Sequence, residues 1–191
     1  RPKGTLLPHQ GLNNFAWAAA RDFGVRPGSR VLQFASFSFD SSVAEVFVAL
    51  LVGGTLYLAE RETLLSVPDL QQWLREQAIT TVILPPSLLR MLPADGLPAL
   101  ETVVSAGESC PWDVAARWAP GRRFLNGYGP TEATIGTCFY TLRPGQKDTA
   151  TVPIGRPIPN TQAYVLDRRL EPVPVGVPGE LFIGGVGLAR G

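Results

Sequence analysis

Apolar positions along this chain recur at two alternating periods. Leu12, Phe15, Ala16, Ala19 and Ala20 fall at helical spacing within residues 9–22, and residues 31–35, apolar but for Gln33, then read as a buried strand. Asp40, Ser41 and Ser42 open a second helix over 43–51, Gly53 and Gly54 stop it, and residues 55–58 make the next strand. The alternation continues with an amphipathic helix at 68–77, a β-branched strand at 80–84 and a short helix at 87–91. A strand at 102–105, a helix at 111–118 and a strand at 123–125 complete the series. Strands alternating with helices predict an α/β fold, a Rossmann-like, mostly parallel sheet flanked by helices, with ligands gathered at the carboxyl ends of the strands.

After about Thr141 the texture changes. Pro144, Gly145, Pro153, Gly155, Pro157, Pro159, Pro172, Pro174, Pro178 and Gly179 punctuate short apolar segments such as 163–166 and 180–183. These predict short antiparallel strands, part of a distorted β-barrel. The expected division is an α/β subdomain over 1–143 and a β-rich partial barrel over 144–191.

Composition narrows the partners. Seventeen basic against sixteen acidic residues give a formal charge of +1 with no dense basic run, so neither nucleic acid nor an anionic membrane is expected. No apolar stretch approaches the roughly 20 residues of a membrane span, and Arg1-Pro2-Lys3-Gly4 is no secretory start. A cytoplasmic location follows. Cys110 and Cys138 are far apart and accompanied by a single histidine, His9, which argues for reduced core cysteines and against zinc or a Ser-His-Asp triad. Trp17, Trp73, Trp112 and Trp118 suit core-facing or half-buried helix positions.

The densest chemistry lies in Asn126-Gly127-Tyr128-Gly129-Pro130-Thr131-Glu132. Read as a loop, its glycines admit close approach of a ligand, Pro130 stiffens the bend, and Thr131 stands where a following helix would begin and attract phosphate. Tyr128 offers a flat face to a base, Thr131 a hydroxyl to a phosphate oxygen, and Glu132 a hard carboxylate to Mg2+. An ordinary turn followed by a helix cap is the competing reading of this segment taken alone.

Three further segments join it: Pro2-Lys3-Gly4, Phe39-Asp40-Ser41-Ser42, and Gly179-Glu180-Leu181-Phe182-Ile183-Gly184-Gly185-Val186-Gly187-Leu188-Ala189-Arg190-Gly191. In this order the four resemble the core motifs of the adenylation domains of nonribosomal peptide synthetases, within the adenylate-forming superfamily. The resemblance covers the whole chain and implies a central fragment of a larger domain. Only the Pro-Lys-Gly end of the family's phosphate loop is present, and its ribose-binding aspartate, hinge and C-terminal lysine have no counterpart here. Lys147 stands in the wrong place for that lysine and reads as a solvated loop residue. Missing neighbours also imply poor solubility of the fragment alone.

The resemblance implies that ATP activates an amino acid to aminoacyl-AMP with release of pyrophosphate, before transfer to the phosphopantetheine thiol of a carrier protein beside condensation domains. Nucleotide-binding residues would be Lys3, Gly4, Gly107, Glu108, Asn126, Gly127, Tyr128, Gly129 and Thr131, with Thr131 and Glu132 catalytic and Glu132 the Mg2+ ligand. Glu108 reads equally as a solvated carboxylate. The amino-acid pocket would be Asp40, Ser41, Ala44, Ile83, Val104, Ala106, Gly127, Ile135 and Gly136. Asp40 would pair with the substrate ammonium, its alternative being the N-cap of the second helix. The many small residues leave room for a bulky apolar side chain, phenylalanine-like or tryptophan-like. An acyl-CoA or aryl-acid ligase, and a non-catalytic nucleotide-binding subdomain, remain as alternatives.

Overall fold

The computed structural model describes residues 4–143 and 151–191. Lys3 and Lys147 therefore lie outside the described residues. Five parallel strands form most of the main sheet: β1 (Arg30–Gln33), β2 (Thr55–Leu58), β3 (Thr81–Leu84), β4 (Thr102–Ala106) and β5 (Arg123–Tyr128). Antiparallel β6 (Cys138–Thr141) and β7 (Arg156–Pro157) extend it to seven strands in the order β2-β1-β3-β4-β5-β6-β7. The antiparallel strands expected in the last third are β8 (Thr161–Leu166) and β9 (Glu180–Gly185), a separate two-stranded sheet. Membership of the main sheet thus extends to Pro157.

Alternation along each strand decides which helices it meets. Val31, Ile83, Val104 and Leu125 pack with Phe15, Ala19 and Phe23 of α1 (His9–Phe23) and with Ala44 and Val48 of α2 (Ser41–Leu50). Their neighbours Leu32, Val82, Val103 and Phe124 face the other way. They pack on α4 (Val67–Glu76), α5 (Pro86–Met91) and α6 (Trp112–Trp118), through Leu70, Leu74, Leu88, Leu89, Trp112 and Trp118. Both faces are therefore covered, which is what the near-continuous apolar strands require. Burying each such side chain is worth about 1.5–3 kcal/mol.

Several boundaries differ from the sequence reading for identifiable reasons. β1 ends at Gln33 instead of 35, because the amides of Phe34 and Ala35 donate to the Glu45 carboxylate and not to a neighbouring strand. β5 runs on to Tyr128, so Asn126, Gly127 and Tyr128 are strand residues and not loop residues. Their ladder partners are Tyr140, Phe139 and Cys138 of β6. Thr131 begins a single 3-10 turn, Thr131–Ala133, and no helix follows to supply a dipole for phosphate. A short α3 (Arg61–Leu65) precedes α4 and has no signature in the apolar pattern. Trp17 is not half-buried but 55% exposed. It lies about 200° around α1 from Phe15, off the face that meets the sheet.

Among the described residues no helix is long and apolar enough to cross a membrane. The β2 edge of the sheet is apolar and open, with Leu58 and, on the following α3, Leu65 exposed by 68% and 75%. An unpaired edge carrying apolar side chains recruits other chains. Sedimentation velocity of the isolated chain should accordingly show concentration-dependent association, reduced in Leu58→Lys and Leu65→Lys. A monodisperse parent chain would remove the patch as an adhesive surface.

Candidate functional site

Two cavities open at the carboxyl ends of the parallel strands and share a wall. The first, of about 180 Å³, lies on the α1/α2 side of the sheet. Asp40, Ser41 and Ala44 line it from the start of α2, Ile83, Val104, Ala106 and Gly127 from β3, β4 and β5, and Ile135 and Gly136 from the segment before β6. The sequence reading thus finds its entire amino-acid set in one cavity. Period-two alternation explains why, since Ile83, Val104, Ala106 and Gly127 all face α1 and α2.

Aromatic residues that the sequence reading missed complete this cavity: Phe15 and Phe23 from α1, Phe39 before α2, and Phe139 from β6. Phe139 packs edge-on to Phe23 at 5.1 Å between centroids and tilted to Phe15 at 6.3 Å. A Cβ at Gly136 would stand 2.6 Å from the Phe15 ring, so the volume that this glycine leaves is already filled by Phe15. The small residues therefore accommodate protein rings as well as a ligand. The signals in the sequence were the place of Phe39 beside Asp40 in its motif and the spacing of Phe15 and Phe23 on α1.

Asp40 is turned into this apolar setting. It precedes α2 with helical backbone angles and makes no side-chain cap bond, which removes the competing N-cap role. Its backbone carbonyl accepts from the amides of Val43 and Ala44, and Ser42 Oγ donates back to Phe39 O at 2.7 Å. Asp40 Oδ2 is buried without a hydrogen-bond partner among the described residues. A buried acceptor left unpaired is costly, and a cationic donor from a ligand is the kind of group that satisfies it.

The second cavity, of about 400 Å³, is lined by Gly107, Glu108, Asn126, Gly127, Tyr128 and Gly129 of the nucleotide set. Cys110, Thr151, Val152 and Ile154 close its far side, and no motif in the sequence flags them. Asn126 Nδ2 donates to Val152 O at 3.2 Å and Pro153 O at 3.0 Å, and its buried Oδ1 has no partner among the described residues. Glu108 is exposed, and its carboxylate accepts from Ser87 Oγ at 2.9 Å and Ser87 N at 3.2 Å. Gly107, Gly127, Tyr128 and Gly129 line both cavities. Gly4, Thr131 and Glu132 are exposed and outside both linings.

The family described as AMP-binding enzyme matches residues 1–191. The chain belongs to the AMP-binding enzyme family. A linear gramicidin synthase of Brevibacillus parabrevis is 53% identical over 190 residues, 100% of this chain and 4% of that protein. The nonribosomal peptide synthetase FmoA3, solved in its alpha-methyl-L-serine-AMP bound form, superposes with a TM-score of 0.90 at 30% identity, over 100% of this chain and 23% of the other. The Vibrio cholerae adenylation domain AlmE, in complex with glycyl-adenosine-5'-phosphate, gives 0.86 at 25% identity, over 97% and 37%. This AMP-binding chain therefore spans a small part of its relatives' length.

One buried carboxyl group supports the site from behind. Glu45 of α2 is fully buried and accepts from Gln33 Nε2, Phe34 N and Ala35 N, anchoring the strand end from which the chain runs to Phe39 and Asp40. Burial raises its pKa from 4.5 to about 7, while the Ala35, Phe34 and Gln33 donors pull it back down. The folded chain thus keeps a proton that the unfolded chain releases at lower pH. Stability contributed by this group is present below 4.5 and is lost as pH rises to about 7. The loss totals about 3 kcal/mol. Urea midpoints at about pH 5 and about pH 8 should differ more for the parent than for Glu45→Gln, and equal differences would assign the slope to another group.

Proposed function

We propose that this chain carries the amino-acid and adenine sites of an amino-acid-adenylating enzyme acting in nonribosomal peptide synthesis. The observation that carries the reading is the unpaired Asp40 oxygen inside a mostly apolar cavity, next door to a second cavity that suits a purine. A free amino acid brings an ammonium to pair with Asp40 and an apolar side chain to meet Phe15, Phe39, Ile83 and Phe139. Its carboxylate then faces the wall shared with the second cavity.

In that second cavity the face of Tyr128 offers stacking, and Asn126 Oδ1 accepts from an exocyclic amine such as that of adenine. Holding both substrates against one wall aligns a carboxylate oxygen with the α-phosphorus of ATP. The new oxygen–phosphorus bond forms as the bond to pyrophosphate breaks, pyrophosphate leaves with the electron pair, and aminoacyl-AMP remains. Thr131 would donate to a phosphate oxygen, and Glu132 would hold Mg2+. One exposed carboxylate fits that ion, which is commonly held by one or two carboxylates together with substrate phosphates and waters. Bound Mg2+ supplies charge neutralisation on the phosphates. Lys3 and Gly4 belong to the same phosphate region in this reading.

In this reading the α/β subdomain over 1–143 carries both sites and the β-rich part over 144–191 closes the nucleotide cleft. The acyl group passes next to the phosphopantetheine thiol of a carrier protein, within an assembly line that includes condensation domains. Linear gramicidin synthase and the aminoacyl-adenylate complexes of FmoA3 and AlmE support this placement. The size of the first cavity refines the substrate. A dry apolar cavity of about 150 Å³ takes up benzene, so one of 180 Å³ suits a single ring or a branched aliphatic side chain better than an indole.

Exchange of labelled pyrophosphate into ATP by the intact parent protein tests this directly. Phenylalanine-sized apolar amino acids should support exchange, tryptophan less, and des-amino acids none. Asp40→Asn should lower kcat/KM roughly 30-fold or more, the cost of leaving the substrate charge unpaired. Exchange with des-amino acids would assign the chain to an acyl-CoA or aryl-acid ligase, and no exchange with any acid would leave a nucleotide-binding module.

A further inference from the structure

Between the exposed Thr131–Ala133 turn and the cavity-lining Ile135 and Gly136, the chain takes a conformation that its residues disfavour. Thr134 and Ile135 both have positive φ, 60° and 67°. β-Branched residues are rare there because Cβ and its substituents crowd the backbone, so two in succession persist only when the surroundings over-determine them.

The restraints are visible. Thr134 N donates to Thr131 O at 3.1 Å and Gly136 N to Thr134 O at 2.8 Å, bracketing the left-handed pair from within. Thr134 itself is buried, and its Oγ1 donates to Gly187 O at 2.6 Å. Beside it, Ala189 N donates to Glu132 O at 2.7 Å. Gly11 of α1 closes the junction, since a Cβ there would stand 2.6 Å from Thr134 Oγ1 and 3.1 Å from Gly187 Cα. The segment after β9 and the start of α1 thus clamp the turn from both sides. The Thr134 hydroxyl is the side-chain link between the turn and the Gly187 segment.

We propose that Thr134 is a positioning residue of the adenylation site. It lines neither cavity. Its hydroxyl fixes the left-handed turn and so fixes the spacing between Thr131 and Glu132 on one side and Ile135 and Gly136 on the other. The first pair faces the phosphates and the metal ion, and the second shapes the amino-acid cavity, an assignment that rests on the adenylation reading above. Losing the hydroxyl therefore loosens both ligand sites together while the sheet stays intact.

Thr134→Val keeps the branched shape without the donor, and Thr134→Ser keeps the donor. In the intact parent protein, pyrophosphate exchange by Thr134→Val should show KM raised about tenfold for both the amino acid and MgATP. Discrimination against an analogue smaller by one methylene should fall about threefold. Thr134→Ser should stay within about threefold of the parent on each parameter. Amide hydrogen exchange should rise over residues 131–137 in the valine variant and remain unchanged in β3 and β4. An unchanged valine variant, or one whose rate falls with its folded fraction while both KM values hold, overturns the proposal. Absence of exchange activity in the parent would overturn the adenylation reading instead, and the amide measurement still decides whether Thr134 holds the turn.

Discussion

The site depends on one close approach, the passage of residues 135–137 directly over the end of β5. A Cβ at Gly129 would lie 2.5 Å from Ile135 O, 2.6 Å from Gly136 Cα and 2.7 Å from Thr137 N. No other residue type fits there without moving backbone. Thr137 N and Thr137 Oγ1 both donate to Tyr128 O, locking the crossing at 2.8 Å and 3.2 Å. From that crossing the chain drops into β6, whose antiparallel pairing extends β5 far enough to carry Asn126, Gly127 and Tyr128 as ordered strand residues. The wall between the two cavities is this strand end. Gly129 directly follows β5, and the close approach it admits is made by the protein's own chain.

Much of the α/β part was legible because its strands are apolar on both faces and its helices on one. Residues 55–58 were read at their observed bounds, and α1 and α6 to within about a residue. Motif resemblance grouped nine residues that the structure brings to the lining of one cavity. Three of the errors share a cause, in which a non-local partner decided a local conformation. β5 outruns its sequence signal because β6 supplies the ladder for Asn126, Gly127 and Tyr128. β1 falls short of its signal because Glu45 captures the amides that would have continued it. Phe139 escaped notice because nothing near it in sequence reveals that it faces Phe15 and Phe23 of α1.

The two carboxyl groups of the β1–α2 region show how burial divides labour between like groups. Glu45 has its donors supplied by Gln33, Phe34 and Ala35 and serves as internal structure. Asp40 lies five residues earlier, beyond the reach of those donors, and keeps one buried oxygen uncommitted. One acidic residue of the helix is thus committed to the fold, while the acid before it keeps an unpaired oxygen at the cavity wall.

The wall shared through Gly107, Gly127, Tyr128 and Gly129 has a kinetic side. A molecule joined across it is held by two footholds, one in each cavity. When one end lets go, the other keeps it at high local concentration, so escape requires both ends to release before either rebinds. The separate halves have no such protection and come and go freely. On the adenylation reading, an acyl adenylate spanning that wall would be retained longer than either of its precursors.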